Sequence, residues 1–404
     1  MKVCGIIVEY NPMHNGHIYH IKKAKDTTSC SHLIAVMSGN FVQRGEPGIV
    51  NKWTRAEMAL NQGVDLVIEL PFINSISSAE GFCYSSVKIL DSLNIVDNIC
   101  FGSEEGSLES LKFIAKILVN EPLEYKNILT KYLDAGISFP SARQYALNEY
   151  IKDYTHNLKD LNFISYSNNI LSVEYLKALL KLNSRIEPVT IERINNSYKE
   201  INLTGEISSA TSIRNNILNI HDIKNAMPYE NFDLLSKDFE KGLGPVSLNS
   251  FSDIIMYKLR ECTVDYLESL VDVSEGLENK IKKASENFSD VVSLINEVSG
   301  KRYPKTRIQR ILLYALFGIT RDVYKNYFEP TYVRVLGFNE KGREILSKIK
   351  KTSSLPIISM PNSKDIDSLK YDILSSDIYS LAYSNIDFKT SKKDLKTPPI
   401  YIKN

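Results

Sequence analysis

Two histidines flank a glycine in "NPMHNGH", just downstream of the apolar run "GIIV". A buried strand needs the apolar residues but has no use for His14, Gly16 and His17. Between a strand and a helix, glycine lets the backbone pass close to a ligand where a β-carbon would clash. His14 and His17 then stand at a helix start, where amide N–H groups and the helix dipole favour phosphate. An imidazolium there stabilises charge on a transferring phosphoryl oxygen. Nucleotidyl transfer is mainly positioning and electrostatics, so no nucleophilic side chain is required. The competing reading is a capped helix with surface histidines; the strand–turn–helix setting favours the chemical one.

A second group is "SATSIR", from Ser209 to Arg214. Ser209 and Thr211 place hydroxyls at a helix start, and Arg214 follows within a turn. These groups suit the β- and γ-phosphates of a nucleotide held opposite His14. Alone, a hydroxyl-rich helix start is only a cap. Paired with the histidines upstream, it completes a phosphate cradle.

The elements that must position these residues alternate in the first third of the chain. "KVCGIIV", "HLIAVMSG", "DLVIELP" and "NICFGSE" read as short buried strands. "NGHIYHIKKAK", "TRAEMALNQG" and "SAEGFCYSSVKILDSL" read as helices between them. Such alternation implies a parallel sheet with helices on both faces. Right-handed crossovers then gather all strand C-termini on one edge, where ligands bind. "YNPMHNGH", "SGNFVQRGEP", "ELPF" and "FGSEEG" all fall at that edge. "EPVTIERI" is read as the last strand of this sheet. Beyond about His221 the pattern is mostly helical, with "YVRVLGF" and "LPIISM" as possible strands and the lysine-rich end as a solvated tail.

Composition sets outer limits. The chain has 404 residues, room for two or three domains. With 49 basic against 48 acidic residues, a nucleic-acid surface must be a local patch. The five cysteines are scattered without a C-x-x-C pair, so zinc spacing is absent and reduced thiols are expected. Cys4 and Cys100 are read as small core residues. The first apolar run is broken at Glu9 and Asn11, unlike a secretory leader. No apolar segment is long enough to span a bilayer, so no membrane contact and a cytoplasmic location are expected.

H-x-G-H followed by S-x-T-x-I-R resembles the adenylyl- and cytidylyltransferase superfamily. "GIIVEYNPMHNGH", "MSGNFVQRGEP", "NKWTRAEMAL", "DLVIELP", "FGSE", "NNIL", "EYLKAL", "SATSIR", "RIQRILL" and "VLGFNEKGR" together resemble the tRNA(Met) cytidine acetate ligase family across nearly the whole chain. Met13 stands where phenylalanine is expected, and Ser167 where proline is expected before Asn-Asn; neither removes a polar contact. The resemblance implies an α/β, Rossmann-like parallel-sheet nucleotidyltransferase domain over residues 1–220. A mainly helical, tRNA-binding domain would follow over residues 221–404. It implies ATP as substrate and Mg²⁺ held mainly by phosphates. Acetate would be activated as acetyl-adenylate, and the acetyl group passed to the wobble cytidine of elongator tRNA(Met).

Carried over by motif, the ATP site takes in Ile7, Val8, Glu9, Tyr10, Asn11, Pro12, Met13, His14, Asn15, Gly16, His17, Ile18, Tyr19 and His20. It adds Gly102, Asn168, Asn169 and Arg193 to Ser209, Thr211 and Arg214. Ser38, Asn40, Lys52 and Arg55 are candidates for an acetate or cytidine pocket; the alternative for Arg44 and Arg55 is solvent, or pairing with Glu46 and Glu57. In "KRYPKTRIQR", a helix from about Thr306 would put Arg307 and Arg310 on one face and Ile308, Ile311 and Leu312 in the core. Arg302, Lys305, Arg307 and Arg310 are the expected tRNA-backbone contacts. The competing function is a small-molecule adenylyltransferase, against which the helical half and this basic segment argue. A non-catalytic RNA-binding protein on the same fold would not need His14, His17, Thr211 and Arg214 intact.

Overall fold

The computed structural model describes residues 1–104, 106–137, 139–152, 167–192 and 208–403. Among them ten strands form: β1 (Val3–Val8), β2 (His32–Ser38), β3 (Phe41–Val42), β4 (Glu46–Pro47), β5 (Leu66–Leu70), β6 (Asn98–Ser103), β7 (Glu187–Glu192), β8 (Val333–Phe338), β9 (Ile357–Ile358) and β10 (Ile400–Tyr401). Eight of these make one sheet, in the order β10-β8-β5-β2-β1-β6-β7 with β9 beside β8. The run from β5 to β7 is parallel throughout, as the alternation of strands and helices predicts.

The order reverses at β1, whose neighbours are β2 on one side and β6 on the other. β1 stays in register with β2 from Val3↔His32 to Val8↔Met37. Its pairing with β6 covers only Cys4↔Asn98 and Gly5↔Ile99. The two strands therefore part company before their C-termini, and a crevice opens at the switch point of the sheet.

Side chains alternate between two cores, as a strand requires. Ile34 and Val36 join one cluster with Leu66, Ile68 and the helices Ala79–Ser92 and Ser167–Lys181. Leu33, Ala35 and Met37 join the other with Cys4, Ile6 and Cys100, which are core thiols as expected. A third cluster belongs to the helices between residues 243 and 319 and to Tyr371, Tyr379 and Tyr383. It reaches the sheet through Phe41, whose ring lies 5.3 Å from Phe317 and 5.6 Å from both Phe72 and Phe251. Rings at these separations add packing energy beyond their buried area.

The chain does not leave the sheet at residue 192. β8 pairs antiparallel with β5, and β10 pairs with β8 through Ile400↔Gly337 and Tyr401↔Phe338. A division near residue 220 thus does not separate the sheet from the helical half, and the end of the chain is not a solvated tail. Asp394 is buried and sits 2.5 Å from the Lys52 ammonium, which also bonds both oxygens of Glu69 at 2.7 and 2.8 Å. Asp372 lies in the same cluster and accepts from the Phe72 amide and the Tyr332 hydroxyl.

Burial works against the charge on Lys52, but Asp394 and Glu69 outweigh it and hold its proton more tightly than usual. Burial, together with Asp372 and Asp394, pushes Glu69 up to about 8. A carboxyl whose folded pKa is raised binds a proton more readily folded than unfolded, so its contribution to stability is lost as pH rises. Thermal unfolding should therefore show melting temperature falling between about pH 5 and pH 9, and Glu69→Gln should flatten that slope. An unchanged slope would mean that other groups set it.

Candidate active site

The crevice between β1 and β6 is a cavity of about 460 Å³, within the range of small-ligand sites. His14 closes one side as the N-cap of the Asn15–Thr28 helix. Its Nδ1 accepts the Gly16 amide at 3.1 Å, while the His14 amide donates to His17 Nδ1 at 3.2 Å. This reciprocal capping satisfies amide donors at the helix start, as a Ser and Glu pair would. The two rings lie 3.9 Å apart, and Tyr10 meets His17 edge-on at 5.0 Å.

Each Nδ1 accepts an N–H, so each ring carries its proton on Nε2. In this geometry both histidines are neutral N–H donors rather than imidazolium ions. Gly16 also has a local reason to be glycine. A β-carbon there would lie 2.9 Å from His14 Cε1, so any side chain would displace the histidine ring itself.

Opposite stands the expected second group. Ser209 caps the short helix Ala210–Asn215 by accepting from the Ser212 amide at 3.0 Å. Arg214 donates to the Asn11 carbonyl at 2.9 Å and to Thr211 Oγ1 at 3.4 Å, with Glu46 at 3.8 Å. Asn11 bonds the Ile49 amide at 2.7 Å in turn, so the histidine loop, Arg214 and the segment after β4 form one unit.

Of the predicted nucleotide-site residues, Ile7, Val8, Glu9, Tyr10, Asn11, His14, Gly16, His17, Tyr19, His20, Gly102, Asn168, Ser209, Thr211 and Arg214 line the cavity. Met13 is a core residue, and Pro12 and Ile18 stand off the wall. Asn15 bonds the Asn225 carbonyl. Asn169 is buried, accepting from the Glu104 amide, while its own amide donates to the Glu104 carboxylate. It fixes the start of the Ser167–Lys181 helix and so places Asn168. Arg193 lies outside the described residues.

The structure does not bring Ser38, Asn40, Lys52 and Arg55 to the cavity. All four are buried, and the side chains of Asn40, Lys52 and Arg55 are engaged internally. Asn40 accepts from the Lys52 amide at 2.8 Å. Arg55 donates to the carbonyls of Glu9 at 2.6 Å, Ser38 at 3.1 Å and Val50 at 3.2 Å, and also to that of Gly39. It bolts the C-termini of β1 and β2 together beneath the site, and burial pulls it down to about 10.

The basic segment also differs from expectation. Its helix runs Lys305–Phe317, with Ile308, Ile311 and Leu312 fully buried as predicted. Arg307, however, bonds the Asp272 carbonyl and Ser274, and Arg310 pairs with the Asp272 carboxylate at 3.3 Å. These two arginines hold a turn. Arg302 is exposed and pairs with Glu275, and Lys301 and Lys305 are exposed.

Part of the wall lies outside the predicted residues. Val42, Gln43, Arg44 and Glu46 come from the β3–β4 hairpin, Ala79 and Phe82 from the Ala79–Ser92 helix, and Thr306 from the helical half. Gly45 has φ +76, and a β-carbon on it would lie 2.4 Å from the Arg310 nitrogen, which lets the Lys305–Phe317 helix close on the hairpin. Gln309 completes that junction by donating to Glu46 at 3.0 Å. Only the position of "SGNFVQRGEP" at the strand edge hinted at this wall.

The HIGH Nucleotidyl Transferase family model matches residues 1–394. A tRNA(Met) cytidine acetate ligase of Thermoanaerobacter sp. (strain X514) is 48% identical over 395 residues, covering 95% of this chain and 96% of that protein. One from Clostridium novyi (strain NT) is 46% identical over 409 residues, covering 100% of both. The chain belongs to the tRNA(Met) cytidine acetate ligase family. The apo crystal structure of Thermotoga maritima TmcAL superposes with a TM-score of 0.96 at 35% identity, covering 100% of both chains. The same protein bound to alpha-thio ATP gives 0.94 at 34% identity, again over 100% of both chains.

His14 and His17 both line the cavity at the start of the Asn15–Thr28 helix, where imidazole donors would meet a phosphoryl group. Losing one such donor costs about 10²–10³ in turnover. His14→Ala and His17→Ala should each lower kcat by at least about 10²-fold, with a much smaller change in ATP affinity. A folded variant with near-normal turnover would reduce that histidine to a helix cap.

Proposed function

We propose that the cavity binds ATP and acetate, makes acetyl-adenylate, and passes the acetyl group to the wobble cytidine of elongator tRNA(Met). The observation that carries this reading is the pairing of the two histidine donors with Ser209, Thr211 and Arg214 across one crevice, in a chain matched end to end by acetate ligases. Gly102, Asn168 and the apolar rings of Phe101 and Tyr175 suit the nucleoside end. Arg214, Ser209 and Thr211 suit the β- and γ-phosphates.

An acetate oxygen attacks the α-phosphorus, and the bond to pyrophosphate breaks. Charge grows on the α-phosphoryl oxygens, where an Nε2–H donor helps most and needs no reorganisation at the moment of reaction. No group of three or more His, Cys, Asp or Glu that could hold a metal occurs among the described residues. A Mg²⁺ ion would take its ligands mainly from the phosphates, lending charge neutralisation. Among the described residues, no helix is long and apolar enough to cross a membrane.

Acetate-dependent exchange of labelled pyrophosphate into ATP tests the first step. Exchange is expected with acetate and absent without it. Exchange that needs another acid would assign a different donor.

For tRNA, we infer that the exposed cations Lys301, Arg302 and Lys305, just before Thr306 of the cavity wall, meet the anticodon backbone. Replacing these three by alanine should weaken tRNA binding and reduce the salt slope by about 1 for each phosphate no longer neutralised. Arg307→Ala and Arg310→Ala should instead lower thermal stability, since they hold the turn at Asp272. A salt slope untouched by the triple variant would place the tRNA surface elsewhere.

A further inference from the structure

Two steps of opposite proton demand share one cavity. Acetate attacks ATP as a carboxylate and releases no proton. The amine of cytidine must lose one when it becomes an amide. The two histidines do not suit that task in this geometry, because each Nδ1 accepts a backbone N–H and each Nε2 already bears hydrogen.

Among the described residues, three carboxylates line the cavity: Glu9, Glu46 and Glu192. Glu46 is occupied by Gln309 and lies near Arg214. Glu192 ends β7 and is exposed. Glu9 is half-buried at the end of β1, between the histidine loop and the β3–β4 hairpin. It is fixed at two points: its Oε1 accepts the Gln43 amide at 2.8 Å, and its carbonyl accepts Arg55 at 2.6 Å.

We propose that Glu9 is the proton acceptor of acetyl transfer, an inference that rests on the ligase reading. Cytidine N4 attacks the acetyl carbonyl carbon and the N4–C bond forms. The bond from that carbon to the adenylate oxygen breaks, its electron pair leaving with AMP. The N4 proton passes to the Glu9 carboxylate.

The surroundings suit a base. Burial raises the pKa of Glu9, while the Gln43 amide and then Arg44, Arg214 and Arg55 draw it down without cancelling the rise. Tyr175, on the Ser167–Lys181 helix, interacts electrostatically with it, and Arg44 with both Glu9 and Glu46. A carboxylate base nearer to neutrality accepts a proton more effectively at working pH. It is active only when ionised, so transfer should fall as pH drops through the raised pKa.

Glu9→Gln keeps the acceptor for the Gln43 amide. Its single-turnover transfer from synthetic acetyl-adenylate to unmodified tRNA(Met) should fall by about 10²-fold or more relative to its own acetate-dependent pyrophosphate exchange. The acid limb of the transfer pH profile should disappear with it. His20→Gln removes the remaining imidazole on the wall; because His20 lines the ATP cavity, any loss should appear in exchange and transfer together. Parallel loss of exchange and transfer in Glu9→Gln would overturn the proposal, as would a normal ratio or selective loss of transfer in His20→Gln. Wild-type protein without acetate-dependent exchange would overturn the ligase reading, and this proposal with it.

Discussion

The site depends on one break in hydrogen bonding. β1 and β6 pair only at Cys4 and Gly5, then diverge, while β1 and β2 remain paired to Val8. Just beyond the strand ends the buried backbone still needs partners, and side chains supply them. Arg55 donates to the carbonyls of Glu9, Ser38 and Gly39 at the strand ends, and Arg214 to that of Asn11. The opening that admits a ligand and the arginines beneath and beside it are thus one arrangement. Removing Arg55 would leave several buried carbonyls unsatisfied, each costing about 1–3 kcal/mol.

The second half of the chain is part of this arrangement rather than an appendage. Gln309 reaches Glu46, Thr306 enters the wall, and Asp394 binds Lys52 beneath it. A cluster with Glu69, Asp372 and Asp394 around one lysine is costly to bury unless every member is held in place. Breaking it from the C-terminal side would strand Lys52 and Glu69 under the sheet. Folding of the nucleotide cavity is thereby tied to completion of β8 and β10, which carry the chain back to Asp394's neighbours.

The sequence showed most of the sheet and the core of the site. Apolar runs bounded by turns marked β1, β2, β5, β6 and β7, and His14, His17 and "SATSIR" marked both sides of the cavity. It failed where burial decides meaning. Lys52 and Arg55 are the residue types that bind anions, and only their surroundings show one saturated by carboxylates and the other by carbonyls. Arg307 and Arg310 misled for the same reason, because their partner Asp272 lies more than thirty residues upstream. β10 was hidden by a lysine-rich stretch whose apolar residues span only two positions of strand.

The histidine pair shows how local capping and chemistry constrain each other. A histidine that accepts an amide N–H through Nδ1 has its proton fixed on Nε2 and its ring oriented by the helix start. Two such rings, coupled by the His14 amide, present donors of defined direction without carrying a full charge. That matters in a cavity already holding Arg44 and Arg214, where two further cations would repel these arginines and bind the phosphates of the ground state too tightly. Neutral donors aimed at charge that develops only during transfer favour the transition state over bound ATP, which is the difference that accelerates a reaction. The same choice engages both Nδ1 atoms of the H-x-G-H pair as acceptors of backbone N–H groups, so the proton released by the cytidine amine falls to a carboxylate.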